Sequence, residues 1–387
     1  MNKELKILAI IPSGFCFGLQ KCTFNFFSRF PNEVKSHFLI TEWSDGEFSK
    51  TLDHLGIPYT RSWLGMFSRK LDWKNFNMSL QALLKLPKLY FDFFKLNKRY
   101  NPDVLFFANH HEIILMYPLL LLTSRKVICH MHDPPPNILF QKISFFFYEK
   151  VVDHFITISE NVRNRTLLLG SKEERVTTIH NGIIIPNLLN TSRKNDFCKL
   201  AHWPEDSYVV GVTGQMSEKK GLLDVVESIK LAYSINPRIR LVIGGRPEIP
   251  FKFQLVEKID QLNLNDIVYF AGWQENVNDF YYNIDVFILA SQHEEGFGLV
   301  IAEALSNQLP VISTPSGGAI EIIENAVNGF IVEKKNPYEI SQKLILLSHN
   351  KELGKQLGIQ GRMDVTKKFN IDVQTRLFID KIYSLLN

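Results

Sequence analysis

Cysteine is scarce in this chain: Cys16, Cys22, Cys129 and Cys198 are the only four among 387 residues. They form no C-x-x-C pair and no metal-ligand spacing, which argues against a cysteine-built metal site or a disulfide framework and fits free thiols in a reducing compartment. Long apolar runs are missing too. No stretch reaches the ~18 residues that a membrane span requires. The run Lys6–Ile11 is short, flanked by charge and followed by Pro12, so it reads as a first β-strand rather than an export signal. Short-period repeats and low-complexity tracts are absent. No basic cluster interleaves with aromatics in a known nucleic-acid module, so nucleic acid is not an expected partner. What remains, 45% hydrophobic and 22% charged residues, is the composition of a globular protein, and the length predicts two or three domains.

Acidic residues are thin at the start of the chain. Residues 1–100 hold fifteen Lys/Arg against eight Asp/Glu, whereas the whole chain is only +4, so the remainder is slightly acidic. Within that basic region Leu80–Tyr100 alternates Lys85, Lys88, Lys95, Lys98 and Arg99 with Leu and Phe, interrupted by Pro87. Such a segment suits either an anionic membrane surface or a core-facing helix with solvated lysines.

Apolar strand patterns alternate with helical ones, which predicts doubly wound parallel α/β sheets. The first set is Lys6–Ile11, His37–Thr41, Val104–Ala108, Lys126–His130, His154–Ile158 and Val176–Ile183. The second is Tyr208–Val212, Leu241–Gly244, Ile267–Phe270, Asp285–Ala290 and Val311–Ser313. The polar stretch 186–206, with Pro186 and Pro204, reads as a linker. The expected domains are therefore 1–186 and 207–370, followed by a helical segment over 371–387.

The richest segment runs from Ser291 to Glu324. After the buried strand Asp285–Ala290 comes a loop with Glu295 and Gly296-Phe297-Gly298, then an apolar helical stretch through Leu299, Val300 and Glu303, then Pro310-Val311-Ile312 and Gly317-Gly318 followed by Glu321. A strand, glycine loop and helix start present backbone amides that suit an anionic ligand. Glu295 in the loop can reach sugar hydroxyls, and Glu303, about two turns further on, a second set. The block resembles the signature of the family-4 retaining glycosyltransferases, whose pattern is Glu, seven residues, Glu, then P-V-[IV] and G-G-x-x-E. That resemblance implies a GT-B fold: two Rossmann-like doubly wound domains, an N-terminal acceptor domain and a C-terminal nucleotide-sugar domain, with an interdomain cleft. It also implies that the final helix crosses back to the first domain.

A second element supports the resemblance. The loop Gly211 to Gly221 follows a strand and matches the family pattern G-R-L-x-x-x-K-G at Gly214, Lys220 and Gly221, but Gln215 stands where the family has Arg. In the family the Arg and Lys hold the donor pyrophosphate, and the chain has no D-x-D element for a divalent metal. Fixed cations and amides must then stabilise the charge that develops on the leaving diphosphate. Gln donates a neutral hydrogen bond of ~1 kcal/mol where a charged donor gives ~1.5–3, so Lys220 becomes the main cation. Arg246, in Gly244-Gly245-Arg246-Pro247, is a candidate substitute for the missing arginine.

In the first half, Gly18 and Gln20 fall at the family's glycine element in the first β–α loop, with Phe17 replacing its first glycine. His110, His111 and His132 fall at strand ends; His132 resembles the family's interdomain His. Its readings are a polar role toward sugar or proton, a buried satisfied histidine, or a metal ligand. Asn181-Gly182-Ile183 is followed by Ile184 where the family has Asp.

The resemblance thus implies a metal-independent retaining hexosyltransferase, without a cofactor, moving a hexose or N-acetylhexosamine from a nucleotide sugar (UDP-sugar favoured over GDP-sugar) to a lipid-linked or polysaccharide acceptor of the cell envelope. Catalytic candidates are Glu295, His132 and Lys220. Donor contacts are Gly18, Gly214, Gln215, Lys220, Glu295, Phe297, Gly298, Leu299, Val300 and Glu303. Acceptor contacts are Gln20, His110 and His111, and no metal ligands are expected. The expected location is cytoplasmic, with peripheral contact to the inner face of the membrane. A nucleotide-sugar epimerase shares the fold but lacks the two-glutamate block. A non-catalytic GT-B partner subunit is the alternative that Gln215 and Ile184 motivate.

Overall fold

A computed structural model describes residues 4–12, 18–42, 46–65, 73–188 and 196–386. The chain divides into two compact α/β units, residues 1–182 with 371–387 and residues 183–370. The first contains β1 (Leu5–Ile11), β2 (Val34–Thr41), β3 (Tyr59–Ser62), β4 (Val104–Phe107), β5 (Lys126–Met131), β6 (His154–Thr157) and β7 (Val176–Thr178), in the sheet order β3-β2-β1-β4-β5-β6-β7. The second contains β8 (Tyr208–Thr213), β9 (Ile239–Gly244), β10 (Val268–Gly272), β11 (Val286–Leu289), β12 (Val311–Ser313) and β13 (Phe330–Ile331), in the order β10-β9-β8-β11-β12-β13. Every pairing in both sheets is parallel.

The sequences account for this. β1, β4, β8 and β11 are near-continuous apolar runs with almost every side chain buried, as strands covered on both faces must be. Crossover helices supply the cover. Helix Leu222–Tyr233 buries Leu222, Val225, Val226, Ile229 and Ala232, a spacing of three and four that puts one apolar stripe on the sheet. Two short strands, β3 and β13, escape the sequence reading. Both lie at sheet edges, where β3 (Y-T-R-S) is half exposed and needs no apolar run.

Two further segments take definite places. The described ends of the polar stretch, 186–188 and 196–206, are bonded to the second unit, where a free linker was expected. Ile183 N–H donates to the Phe369 carbonyl at 2.7 Å, Arg362 Nη2 to the Pro186 carbonyl at 2.7 Å, and Asp196 N–H to Asn283 Oδ1 at 2.9 Å. The basic segment Leu80–Tyr100 splits into helices Trp73–Leu84 and Leu86–Tyr100, with Pro87 in the first turn of the second, where its missing N–H costs nothing.

The last helix, Ile371–Leu386, packs within the first unit. Phe378 is fully buried there, its ring 5.3 Å from Phe26 and 5.7 Å from Phe106. Phe378→Ala is expected to cost about 3–5 kcal/mol of the first unit's stability, read as a lower urea midpoint. An unchanged midpoint would show that this helix is dispensable to the core.

Candidate active site

In both sheets the order of successive strands reverses beside the first strand. β8 pairs with β9 on one side and β11 on the other, and β1 pairs with β2 and β4 in the same way. Loops leaving the carboxyl ends of such neighbouring strands diverge, and the opening between them is where open α/β sheets bind ligands.

In the second unit these are the loops after β8 and β11, and they touch. Gly221 has a φ of +65°, and a Cβ there would stand 2.0 Å from the Ala290 carbonyl oxygen. Gln292 N–H donates to the Lys219 carbonyl at 2.9 Å. Lys220 and Glu295, 75 residues apart, consequently meet: Lys220 Nζ lies 2.7 Å from Glu295 Oε1 and 2.9 Å from Oε2, with both side chains mostly shielded from water. Ser291 Oγ also donates to Glu295 Oε1. The β12 loop buttresses the same turn through Thr314 Oγ1, which donates to the Ser291 carbonyl at 2.6 Å, and through Gly318 N–H, which donates to the Glu295 carbonyl at 3.2 Å.

Phe297 is buried and Gly298, at φ +100°, turns the chain into helix Leu299–Ser306, so Leu299 and Val300 supply its first turn. Glu303 lies on the same helix, where its Oε2 accepts from the Tyr281 hydroxyl at 3.2 Å. Burial first, and the Glu303 charge second, push that hydroxyl far above the usual tyrosine range, so it remains a donor. Gln215 is exposed and gives its amide to Glu248 Oε1 at 2.8 Å rather than to the Lys220–Glu295 pair. Gly214 and Gln215 precede Met216, which is held to the β9 loop by Met216 N–H to the Arg246 carbonyl at 2.9 Å. The Arg246 guanidinium sits over the Trp273 ring at 4.4 Å.

The first unit places its candidates differently. Residues 13–17, including Phe17, lie outside the described residues; Gly18 opens helix Gly18–Phe27. Gln20, expected at an acceptor, is instead buried, on the face that this helix shares with Cys22, Thr23 and Phe26. His110 is buried, its ring centroid 4.1 Å from that of His111, which is exposed and opens the helix His111–Leu120 after β4. His130 and His132 follow one another at the end of β5 with rings 4.2 Å apart, and Phe26, Phe106 and Phe378 surround His130. Neither nitrogen of His130, nor Nε2 of His132, has a hydrogen-bond partner. Burial holds the His132 pKa at about 3. Of the roles expected for His132, orienting a hydroxyl suits a neutral ring, and taking up a proton near neutral pH does not. Among the described residues no group of three or more His, Cys, Asp or Glu is placed to hold a metal ion.

Sequence reading missed Ser291, Tyr281 and Glu112. Ser291 lies two residues past the end of β11, at the head of the glutamate loop, and that place is its signal; Tyr281 and Glu112 carry no local signal. Glu112, in the first turn after β4, is buried, and desolvation raises its pKa to about 8.

Residues 69–185 match the family described as Glycosyltransferase Family 4, and residues 194–364 match Glycosyl transferases group 1. The N-acetyl-alpha-D-glucosaminyl L-malate synthase of Bacillus anthracis is 31% identical over 286 residues, covering 70% of this chain and 72% of that protein. The chain belongs to the family-4-like GT-B glycosyltransferases. The capsular polysaccharide biosynthesis glycosyltransferase CapM of Staphylococcus aureus is 30% identical over 244 residues; the match spans 61% of each chain. In fold, the chain superposes on Anabaena HepE, solved with UDP and glucose, with a TM-score of 0.82, 18% identity and coverage of 98% of this chain and 100% of HepE. Staphylococcus aureus TarM, solved with UDP, gives a TM-score of 0.74 at 13% identity, covering 99% of this chain and 100% of TarM.

The buried imidazoles make stability pH-dependent. His132 is neutral in the folded state down to about 3, whereas unfolded it takes a proton below its ordinary 6.5. The unfolded state therefore binds more protons in that window, and stability is lost as pH falls from 6.5 toward 3. At pH 5 the loss is expected to reach about 2 kcal/mol for this residue. Glu112 acts oppositely: protonated when folded up to about 8, it removes stability as pH rises from 4.5 to 8. Urea midpoints of wild type and His132→Asn at pH 5 and 7.5 check the acid limb. The variant should show a smaller drop, and an equal drop in both would refute the assignment.

Proposed function

We propose that this chain is a retaining glycosyltransferase acting in the cytoplasm, which moves a hexose or N-acetylhexosamine from a UDP-sugar to a lipid-linked or polysaccharide acceptor of the cell envelope. The observation that carries the proposal is the Lys220–Glu295 pair at the β8/β11 reversal, beside the start of helix Leu299–Ser306. In the absence of ligand these two groups neutralise each other. A bound donor would part them. Its diphosphate takes Lys220 together with the amides of Phe297 to Val300, and its sugar hydroxyls donate to Glu295, which Ser291 holds in place. Glu303, oriented by Tyr281, accepts from the nucleotide ribose.

The leaving diphosphate gains negative charge as the glycosidic bond breaks. A cation and helix-start amides fixed beforehand stabilise that charge without reorganising, and this is the basis for proposing metal-independent transfer. A neutral His132 offers one ring N–H and one acceptor nitrogen to a hydroxyl, and it does not take up a second proton near neutral pH. A UDP donor is supported by the UDP complexes of HepE and TarM, and an envelope acceptor by the capsular role of CapM.

The test is a donor panel of UDP-, GDP- and ADP-sugars, read by thermal shift and by release of free nucleoside diphosphate. Wild type should be stabilised by UDP-sugars, and Lys220→Ala and Glu295→Ala should each lose tenfold or more of donor hydrolysis. If no donor binds, the chain is a non-catalytic GT-B subunit. Gln215→Arg restores the cation of the family pattern and should tighten donor binding about tenfold. Unchanged affinity by calorimetry would mean that Glu248 holds this side chain away from the diphosphate.

A further inference from the structure

Helix Leu139–Tyr148 of the first unit is inside out. Its buried face carries Gln141 and Ser144 beside Phe145 and Tyr148, while Leu139, Phe140, Ile143, Phe146 and Phe147 are exposed, Leu139 by 73% and Phe146 by 62%. Leaving five large apolar side chains in water opposes the hydrophobic effect, and contiguous exposed apolar area of this kind marks a docking surface.

The face is wider than one helix. Strands β4, β5 and β6 succeed one another on the same side of β1, so right-handed crossovers place the helices that lead to and join them on one face of the sheet. The Tyr117 ring meets Phe147 edge-on at 5.7 Å, and the Tyr90 hydroxyl donates to the Leu115 carbonyl at 2.8 Å, which sets helices Leu86–Tyr100, His111–Leu120 and Leu139–Tyr148 side by side. On the outer surface of this layer Phe91, Phe94, Leu121 and Leu122 are also exposed, Leu122 by 87%.

Charge selects the occupant. The three helices contain two acidic residues: Asp92, engaged by Ser62 at 2.7 Å and Lys88 at 3.0 Å, and Glu112, which is buried. Lys88 is paired with Asp92 and Glu42, while exposed Lys95, Lys98 and Lys142 carry the opposite sign. Lys150 Nζ lies over the Phe146 ring at 4.6 Å, at the edge of the apolar face. Aromatic and leucine side chains fringed by lysine, with acidic groups withdrawn, fit the headgroup region of an anionic bilayer. A second copy of the chain would oppose lysine to lysine across a two-fold axis.

We infer that this helix layer docks the protein on an anionic membrane surface, with helix Leu139–Tyr148 as the inserting element. The inference deepens the lipid-linked acceptor reading, on which it rests for its purpose, but its observations are independent of the donor site.

Co-sedimentation with vesicles of phosphatidylcholine alone, or of equimolar phosphatidylcholine and phosphatidylglycerol, tests it. Wild type should pellet with the anionic vesicles, less so at high salt, and remain in solution with the neutral ones. Phe140→Gln combined with Phe146→Gln should weaken partitioning at least tenfold. Its hydrolysis of a soluble donor should equal wild type, which separates loss of docking from loss of fold or chemistry. Equal partitioning of variant and wild type, or no binding to either vesicle, overturns the inference. So does concentration-dependent dimerisation abolished by the same substitutions, which would assign the face to a second copy.

Discussion

The loop after β8 lies so close to the end of β11 that Gly221 has no room for a side chain, since a Cβ there would stand 2.0 Å from the Ala290 carbonyl oxygen. That approach brings Lys220 to Glu295. It is fixed at both ends by backbone rather than by flexible side chains, with β8 and β11 paired directly and the Gln292 amide bonded to the Lys219 carbonyl. A site held this way needs little reorganisation when charge develops on a ligand, which is the condition under which fixed charges and dipoles contribute most. Ser291 and Tyr281 extend the same logic. Each fixes one carboxylate through a hydroxyl, Ser291 from within the same loop as Glu295 and Tyr281 from the helix Val277–Tyr281.

The first unit is governed by desolvation instead. His130, His132 and Glu112 stand near the ends of β4 and β5 with buried, unpartnered polar atoms. Burial drives each toward its neutral form, imidazoles downward and the carboxyl upward. The unit thus offers neutral hydrogen-bonding groups, whereas the second offers formal charge.

Hydrophobic patterning explains why the surface of the first unit differs from that of an ordinary α/β domain. The strands β1 and β4 and the aromatic core around Phe26, Phe106 and Phe378 already satisfy the interior. Further apolar residues on the crossover helices have nowhere inside to go and remain outside, on a face where lysine is the exposed charge. The basic segment Leu80–Tyr100 resolves in the same way: Leu89, Phe93 and Leu96 form a core stripe, while Phe91 and Phe94 face outward with the lysines. The core-facing reading of that segment holds for one face of the helix, and the other face stays exposed.

Much of this protein was legible in the order of its residues. Unbroken apolar strands between amphipathic helices require parallel sheets covered on both faces. The spacing of Glu295, Gly298 and Glu303 places a loop carboxylate, a helix start and a helix carboxylate in succession, because those relations are local. Edge strands β3 and β13 were not legible, since an edge can be short and polar and still pair. The attachment of Pro186 and Asp196 was hidden because single hydrogen bonds with Arg362 and Asn283 leave no pattern in composition. The contact of Lys220 with Glu295, the hydroxyls that hold Glu295 and Glu303, the withdrawal of Gln20 and His132 from water, and the outward face of helix Leu139–Tyr148 were decided by tertiary structure alone. Each depends on which side of an element meets a neighbour distant in sequence, and local sequence fixes the period of a helix or strand but not which neighbour its faces will meet.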